Sequence, residues 1–426
     1  MISSSSLRPL ADVVIVGAGI IGVTCAYTLA RAGLRVVLVD RQAPGLGASF
    51  GNAGHLATEQ VFPIANLSLL KNLPGMLWDP LSPLRLDWRY LPNCMPWLVR
   101  LLMNLQPAPL QRTVAGLRAL NERSLEAWLR LLAPIGRTDL LRQGGSLLVY
   151  ERSESMVETA ALMARMRHQG VPVTSLQGWE VREMAPQLSG RVLGGLFFPR
   201  TGHFIDPFGV LHELLAASVT FGATVIELPV LGGELQEGGV SLHTTQGVIR
   251  ARKVLIACGA HSKRLTTLLT GRKVPLETER GYHLMLPFER GRLPISVTSL
   301  ERKFIMTPMA QGLRLAGTVE FAGLERPAMM ARAWQLQQLS LGLFRTPLDT
   351  ANATPWMGLR PSLPDSLPVI DQLCDGRVLL AFGHHHLGMT QAAVTAEIVA
   401  QLAGVAVGAS EGANLSLDVY RIDRFG

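Results

Sequence analysis

The sequence predicts an α/β fold in which a discontinuous nucleotide-binding domain carries an inserted α+β domain. Three observations lead there. A β-branched run at residues 12–16 passes through closely spaced glycines into a helical stretch, then into a second apolar run at 36–39. Near the carboxyl end another apolar run, 379–382, meets glycine before an amphipathic stretch reaching residue 402. Between them lie segments of different character, some rich in Pro, Leu and Trp and some β-forming, with no internal repeat. A chain of 426 residues holds two to three domain-equivalents and ample core.

Composition removes several classes. Hydrophobic residues are 48% and charged residues 17%, which excludes disorder for most of the chain. The formal net charge is +8, yet no run of five basic residues occurs, so no nucleic-acid partner is expected. Cys25, Cys94, Cys258 and Cys374 lie tens of residues apart without a C-x-x-C pair. That spacing argues against a thiolate metal site or a disulfide framework and favours a reducing, cytoplasmic compartment. Residues 13–30 are uncharged and long enough to suggest a membrane span, but glycines and threonines interrupt them and no cleavage site follows.

The first element is a buried parallel strand, DVVIV, running into Gly17, Gly19, Ile20, Ile21 and Gly22 in G-x-G-x-x-G spacing. Gly17 permits the turn, Gly19 lets backbone approach a pyrophosphate, and Gly22 allows close helix–strand packing. The helix start adds N–H groups and the positive end of its dipole. A second strand ends at Asp40, an acceptor for ribose hydroxyls. Strand, glycines, helix, strand and acid in this order predict a Rossmann-like dinucleotide site, without separating FAD from NAD. The stretch GLGASFGNAGH at 45–55 is too glycine-rich for an element interior. It reads either as backbone lying against a flat cofactor or as a surface loop.

Residues 63–110 carry Trp78, Trp88 and Trp97 among Arg85, Arg89 and Arg100. They read as a surface resting on an anionic membrane or as a substrate-domain core with a solvated basic rim. A helix follows at 110–132, strands at 146–150 and 196–199, a helix at 208–217 and a strand at 223–227. Residues 246–257 read as a hairpin strand leading into a buried strand, and 274–314 as β-rich. At the carboxyl end, WMGLRPSLPDSLPVI (356–370) is irregular and precedes LLAFGHHHLGMT (379–390). Side chains of adjacent residues diverge, so His384, His385 and His386 are not expected to share a metal.

These motifs carry a resemblance. GASFGNAGH (47–55), ACGAHS (257–262), RGYHL (280–284) and GLRPSLPDSLPVI (358–370), with the amino-terminal fingerprint, are similar to the D-amino-acid oxidase and glycine oxidase superfamily. The nearest likeness is to bacterial FAD-dependent D-amino-acid dehydrogenases, from residue 12 to about 404. It implies a discontinuous FAD-binding domain at 12–62, 207–274 and 352–426, a substrate domain at 63–206 and 275–351, and a flexible tail at 1–11. It also implies FAD as cofactor. Gly17, Gly19, Ile20, Ile21, Gly22, Asp40, Arg41, Ala48, Ser49, Asn52, Ala53 and Gly54 would hold its dinucleotide and flavin. Val230, Cys258, Gly259, Gly383, Leu387, Gly388, Met389 and Thr390 would complete that set. Arg360 matches the family's carboxylate-binding arginine, Tyr282 a carboxylate-binding tyrosine, and His55 a position near flavin and substrate. The triple histidine is not the family's usual form, and one of the three, with His386 as the candidate, is expected to face the cofactor or substrate.

The activity so implied is hydride transfer from an amino acid with a neutral amine, giving an imino acid that hydrolyses to a 2-oxo acid and ammonia. A quinone-type acceptor would take the electrons, and peripheral contact with the inner membrane face is left open. A D-proline-type cyclic imino acid, or glycine or sarcosine oxidised by oxygen, fits the same motifs. A nicotinamide-dependent dehydrogenase or a non-catalytic binding subunit remains the alternative class.

Overall fold

The computed structural model describes residues 11–63, 82, 84–405 and 415–426. The tail before residue 11 and Trp78, both named above, lie outside the described residues.

Apolar β-branched runs make the nucleotide-side sheet. β1 (Ala11–Val16) is central, flanked by β2 (Val36–Asp40) and by Gly247–Ile256, all parallel, and Thr224–Glu227 extends the sheet beyond β2. Between β1 and β2 runs α1 (Ile20–Arg31), buried on nearly every face. Gly247–Ile256 joins the expected hairpin strand and buried strand in one continuous element. Its first half pairs antiparallel with Gly239–Thr244 and its last residues pair parallel with Val378–Phe382. Strands that alternate sides of β1 create a topological switch point, and their carboxyl ends open a cleft there.

A second, mixed sheet runs Thr354–Ser362, Glu277–Leu286, Gly312–Phe321, Phe304–Met309, Ser296–Ser299, Ser146–Tyr150, Gly194–Phe198 and Thr174–Gln177. Two expected boundaries shift. Thr354–Ser362 lies beyond the boundary expected at 352, yet it pairs along its length with Glu277–Leu286. Its Gly and Pro residues hide a strand that only the partner's hydrogen bonds create. The helix Pro107–Leu132, expected in the substrate domain, packs on the nucleotide side against Gly388–Ala403. Its Trp128 donates through Nε1 to the Met389 carbonyl at 2.8 Å. An amphipathic pattern reveals the buried face of a helix but not the partner of that face.

Candidate functional site

A cavity of about 1090 Å³ extends from the carboxyl ends of the parallel strands to the edge of the second sheet. At the strand ends the sequence leaves no room for side chains. Gly17 sits at φ +109°, and a Cβ there would lie 2.4 Å from the Ala257 carbonyl oxygen. A Cβ on Gly22 would lie 1.8 Å from the Gly17 carbonyl oxygen, so the helix can approach the strand only with glycine. Asp40 braces this turn: its Oδ2 accepts from the Ala18 N–H at 2.7 Å and its Oδ1 from Gln42 at 3.2 Å. From the second glycine-rich loop, Ser49 Oγ accepts from the Ile20 N–H at 2.9 Å. Neither α1 nor Gly388–Ala403 has an acidic residue in its first turn. Both positive helix ends therefore remain free to attract an anion or a developing negative charge. Cys258 also lines this end, with its thiol pushed up to about 12 by burial and by the Asp40 charge.

The other end of the cavity is built on one strand pair. Residues 277, 279, 281 and 283 share a face of Glu277–Leu286, because side chains alternate along a strand. Opposite them stand Ser362, Arg360, Gly358 and Trp356. The Arg360 guanidinium lies across Gly281, where a Cβ would sit 2.4 Å from its Cζ. The Trp356 ring fills the space that side chains at Gly51 and Gly358 would take, and it stacks on His283 with centroids 5.0 Å apart. His283 Nδ1 bonds the Gly51 carbonyl at 3.0 Å, tying the strand to the glycine-rich loop.

Glu279, directly opposite Arg360, is the main feature that sequence reasoning missed. Burial acts to raise its carboxyl. The nearby His385, the Arg360 charge and the Ser362 hydroxyl outweigh burial and hold it down at about 2. Arg360 loses some basicity to burial and regains part from Glu279. His385 Nε2 lies 2.9 Å from the Leu363 N–H, and its Nδ1 lies 3.7 Å from Glu279 Oε1. The three histidines separate as their directions require. His384 bonds Thr395 Oγ1 at 3.0 Å, and His386 Nε2 bonds Gln60 Oε1. Burial, with the Arg360 and His385 charges, lowers His386 to about 3, so it is a neutral imidazole at pH 7.

The cavity wall gathers Gly17, Gly19, Ile20, Ile21, Asp40, Arg41, Ala48, Ser49, Asn52, Ala53, Val230, Cys258, Gly259, Gly388, Met389, Arg360 and His386. Other expected residues stand behind it. Gly22 serves packing alone. Gly54 at φ +72° abuts Met309, and Gly383 at φ +85° abuts Leu363. Leu387 is core, and Thr390 Oγ1 accepts the Ala57 N–H at 3.0 Å. His55 is not on the wall; its Nε2 pairs with Glu59 Oε1 at 2.9 Å. Tyr282 requires a correction. It borders the cavity, but its side chain is on the opposite strand face from Arg360. There its hydroxyl donates to Glu320 Oε2 at 2.6 Å and accepts from the Met329 N–H at 3.2 Å. Strand alternation overrides the motif. Asp365, five residues after Arg360, is bound by Arg424 Nε at 2.5 Å.

The sequence profile described as FAD-dependent oxidoreductase, DAO, matches residues 12–402. The chain belongs to this family. It is 34% identical over 398 residues to a D-amino-acid oxidase of Bradyrhizobium diazoefficiens, covering 92% of this chain and 94% of that protein. It is 30% identical over 419 residues to a D-amino acid dehydrogenase of Cereibacter sphaeroides, covering 96% and 95%. Glycine oxidase from Geobacillus kaustophilus shares the fold, with TM-score 0.75, 22% identity and coverage of 97% and 98%. The protein is thus an FAD-dependent amino-acid oxidoreductase of the DAO type, and the residues at the strand ends fit that cofactor. Side-chain-free turns, two uncompensated helix starts and a carboxylate at the end of β2 suit an extended dinucleotide diphosphate.

Proposed function

We propose that the protein oxidises a D-amino acid to the 2-oxo acid and ammonia, with Arg360 binding the substrate carboxylate. The observation that carries this is a guanidinium lying across Gly281 on the wall of the cavity that begins at the glycine turn. FAD, when bound, supplies the two-electron acceptor for the Cα hydride. The protein's own contribution is position. Arg360 offers a planar fork to the carboxylate, and the charge of Glu279, opposite it on the neighbouring strand, favours its charged form. His386 presents an uncharged ring, so no second cation competes with Arg360 for the carboxylate. The imino acid released by oxidation takes up water and loses ammonia without needing a side-chain acid–base pair. A panel of D- and L-amino acids, scored by dye reduction, tests this reading; oxidation confined to L-amino acids would refute it.

A quinone-type acceptor is the reading we favour over oxygen. It is supported by the helix Leu91–Asn104, which exposes Met95, Val99, Leu102 and Met103 along one face, with Trp88 73% exposed and Arg89 and Arg100 beside them. Apolar anchors with flanking arginines suit an anionic lipid surface. None of the described helices is long and apolar enough to cross a membrane. Sedimentation with anionic but not neutral vesicles, reversed by salt, is the expected outcome, since exposed charge attraction is screened within about 8 Å at physiological ionic strength. Peroxide formed as fast as dye reduction would overturn the acceptor assignment.

A further inference from the structure

Carboxylate recognition by Arg360 leaves the far end of the same strand face unexplained. Glu279 has His385 Nδ1 at 3.7 Å and faces Arg360 across the strand pair. Glu277, two residues further from the guanidinium, lines the cavity and differs in kind. Its oxygens accept from the Tyr90 hydroxyl at 3.0 and 3.1 Å and from the Thr278 N–H at 2.8 Å. Among the described residues no cation pairs with it. The exposed Glu325 lines the same end and likewise has no ion pair among the described residues. The other cations on the wall, Arg41, Lys263 and Arg264, belong to the nucleotide end, where Arg264 donates to the Leu231 carbonyl at 3.3 Å. Glu277 is half-buried, and a carboxylate with no cation beside it gains from a positive charge that enters the site.

The spacing says what would fit. Gly281, beneath the Arg360 guanidinium, and Glu277 are four residues apart, about 13 Å along a strand. A substrate held at its α-carboxylate by Arg360 reaches towards Glu277 only with a long side chain, and meets it favourably only with a cation at the tip. We propose that Glu277 binds a terminal ammonium or guanidinium, making long basic D-amino acids of the lysine and arginine class the preferred substrates. The inference rests on the assignment of Arg360 to the carboxylate. Glu277 is then a specificity-determining residue, and Tyr90 fixes the orientation of its carboxylate.

The test separates this from the oxidation itself. 6-Aminohexanoate and hexanoate both offer a carboxylate to Arg360, differ in the terminal ammonium, and have no α-amine to oxidise. Titration calorimetry on the flavin-loaded protein should show 6-aminohexanoate binding at least tenfold more tightly. Glu277→Gln should bring the two ligands level, and Tyr90→Phe should retain most of the difference. Equal or weaker binding of 6-aminohexanoate to the wild type, or an unchanged preference in Glu277→Gln, would overturn the proposal. Turnover of D-lysine against D-norleucine completes the comparison, with at least a tenfold advantage for D-lysine in kcat/KM expected. Failure of both to reduce the flavin would contradict D-amino-acid oxidation, while the calorimetric pair still decides the role of Glu277.

Discussion

Gly281→Ala introduces one methyl group under the Arg360 guanidinium. The added Cβ would lie 2.4 Å from Cζ and Nη2 and 2.5 Å from Nε. Ordinary contacts between such atoms begin near 3.4 Å, so the guanidinium must retreat by about 1 Å. A charge-assisted bond stretched that far is lost, costing about 1.5–3 kcal/mol, or roughly 10- to 150-fold in kcat/KM. The backbone at Gly281 is ordinary extended strand that alanine adopts freely, so the fold should gain slightly if anything, by about 0.4–1 kcal/mol from the stiffer unfolded chain. The expected signature is a large fall in kcat/KM with unchanged flavin content and an unchanged or higher Tm. A double-mutant cycle makes the cause explicit. In an Arg360→Ala background the same methyl group should cost almost nothing. Near-normal kcat/KM in Gly281→Ala, or an equal loss in both backgrounds, would refute the placement of the guanidinium in the substrate site.

Asp40→Ala removes the acceptor for the Ala18 N–H as well as the expected ribose acceptor, so the flavin-to-protein ratio should fall on dilution while the far-ultraviolet circular dichroism persists; full retention would contradict the assignment. Arg360→Lys keeps the charge but not the fork, so kcat/KM should remain well below wild type, and full activity would show that charge alone suffices. Buried His384, His386 and His283 are lowered to about 3 and His203 to about 4, chiefly by burial. Below about pH 6.5 the unfolded chain binds these protons and the folded chain does not. Stability should therefore fall with pH by up to about 1.4 kcal/mol per unit for each histidine, and urea midpoints equal at pH 7 and pH 5 would contradict their burial. Glu279, held down at about 2, adds a further loss below its ordinary range.

The β1–α1–β2 unit was legible because its signals are local. Five consecutive elements of one motif sit within residues 12–40, and each has a steric reason visible in the residue type. The long strand at residues 277–286 was legible only as β-rich. Its alternation, Glu277, Glu279, Gly281 and His283 on one face against Tyr282 on the other, was present in the sequence and argued against pairing Tyr282 with Arg360. What could not be read is the partner: Glu279 meets Arg360 through register between distant segments, and nothing local reports register. The same limit hid Trp128 against Met389 and left Thr354–Ser362 looking irregular. His55 illustrates a third case, in which a motif position survives while its side chain turns to a neighbour, Glu59, on its own segment.

Anaerobic stopped-flow reduction of the bound flavin separates carboxylate binding by Arg360 from flavin binding elsewhere in the cavity. Wild-type protein mixed with its best D-amino acid should bleach the flavin absorbance, with saturation in substrate. Arg360→Ala should carry the same flavin content and the same oxidised spectrum. Its second-order rate constant for reduction should fall by about 10- to 150-fold or more, the loss expected for a charge-assisted bond that also orients the substrate. Reduction of Arg360→Ala at the wild-type rate would contradict carboxylate binding by Arg360.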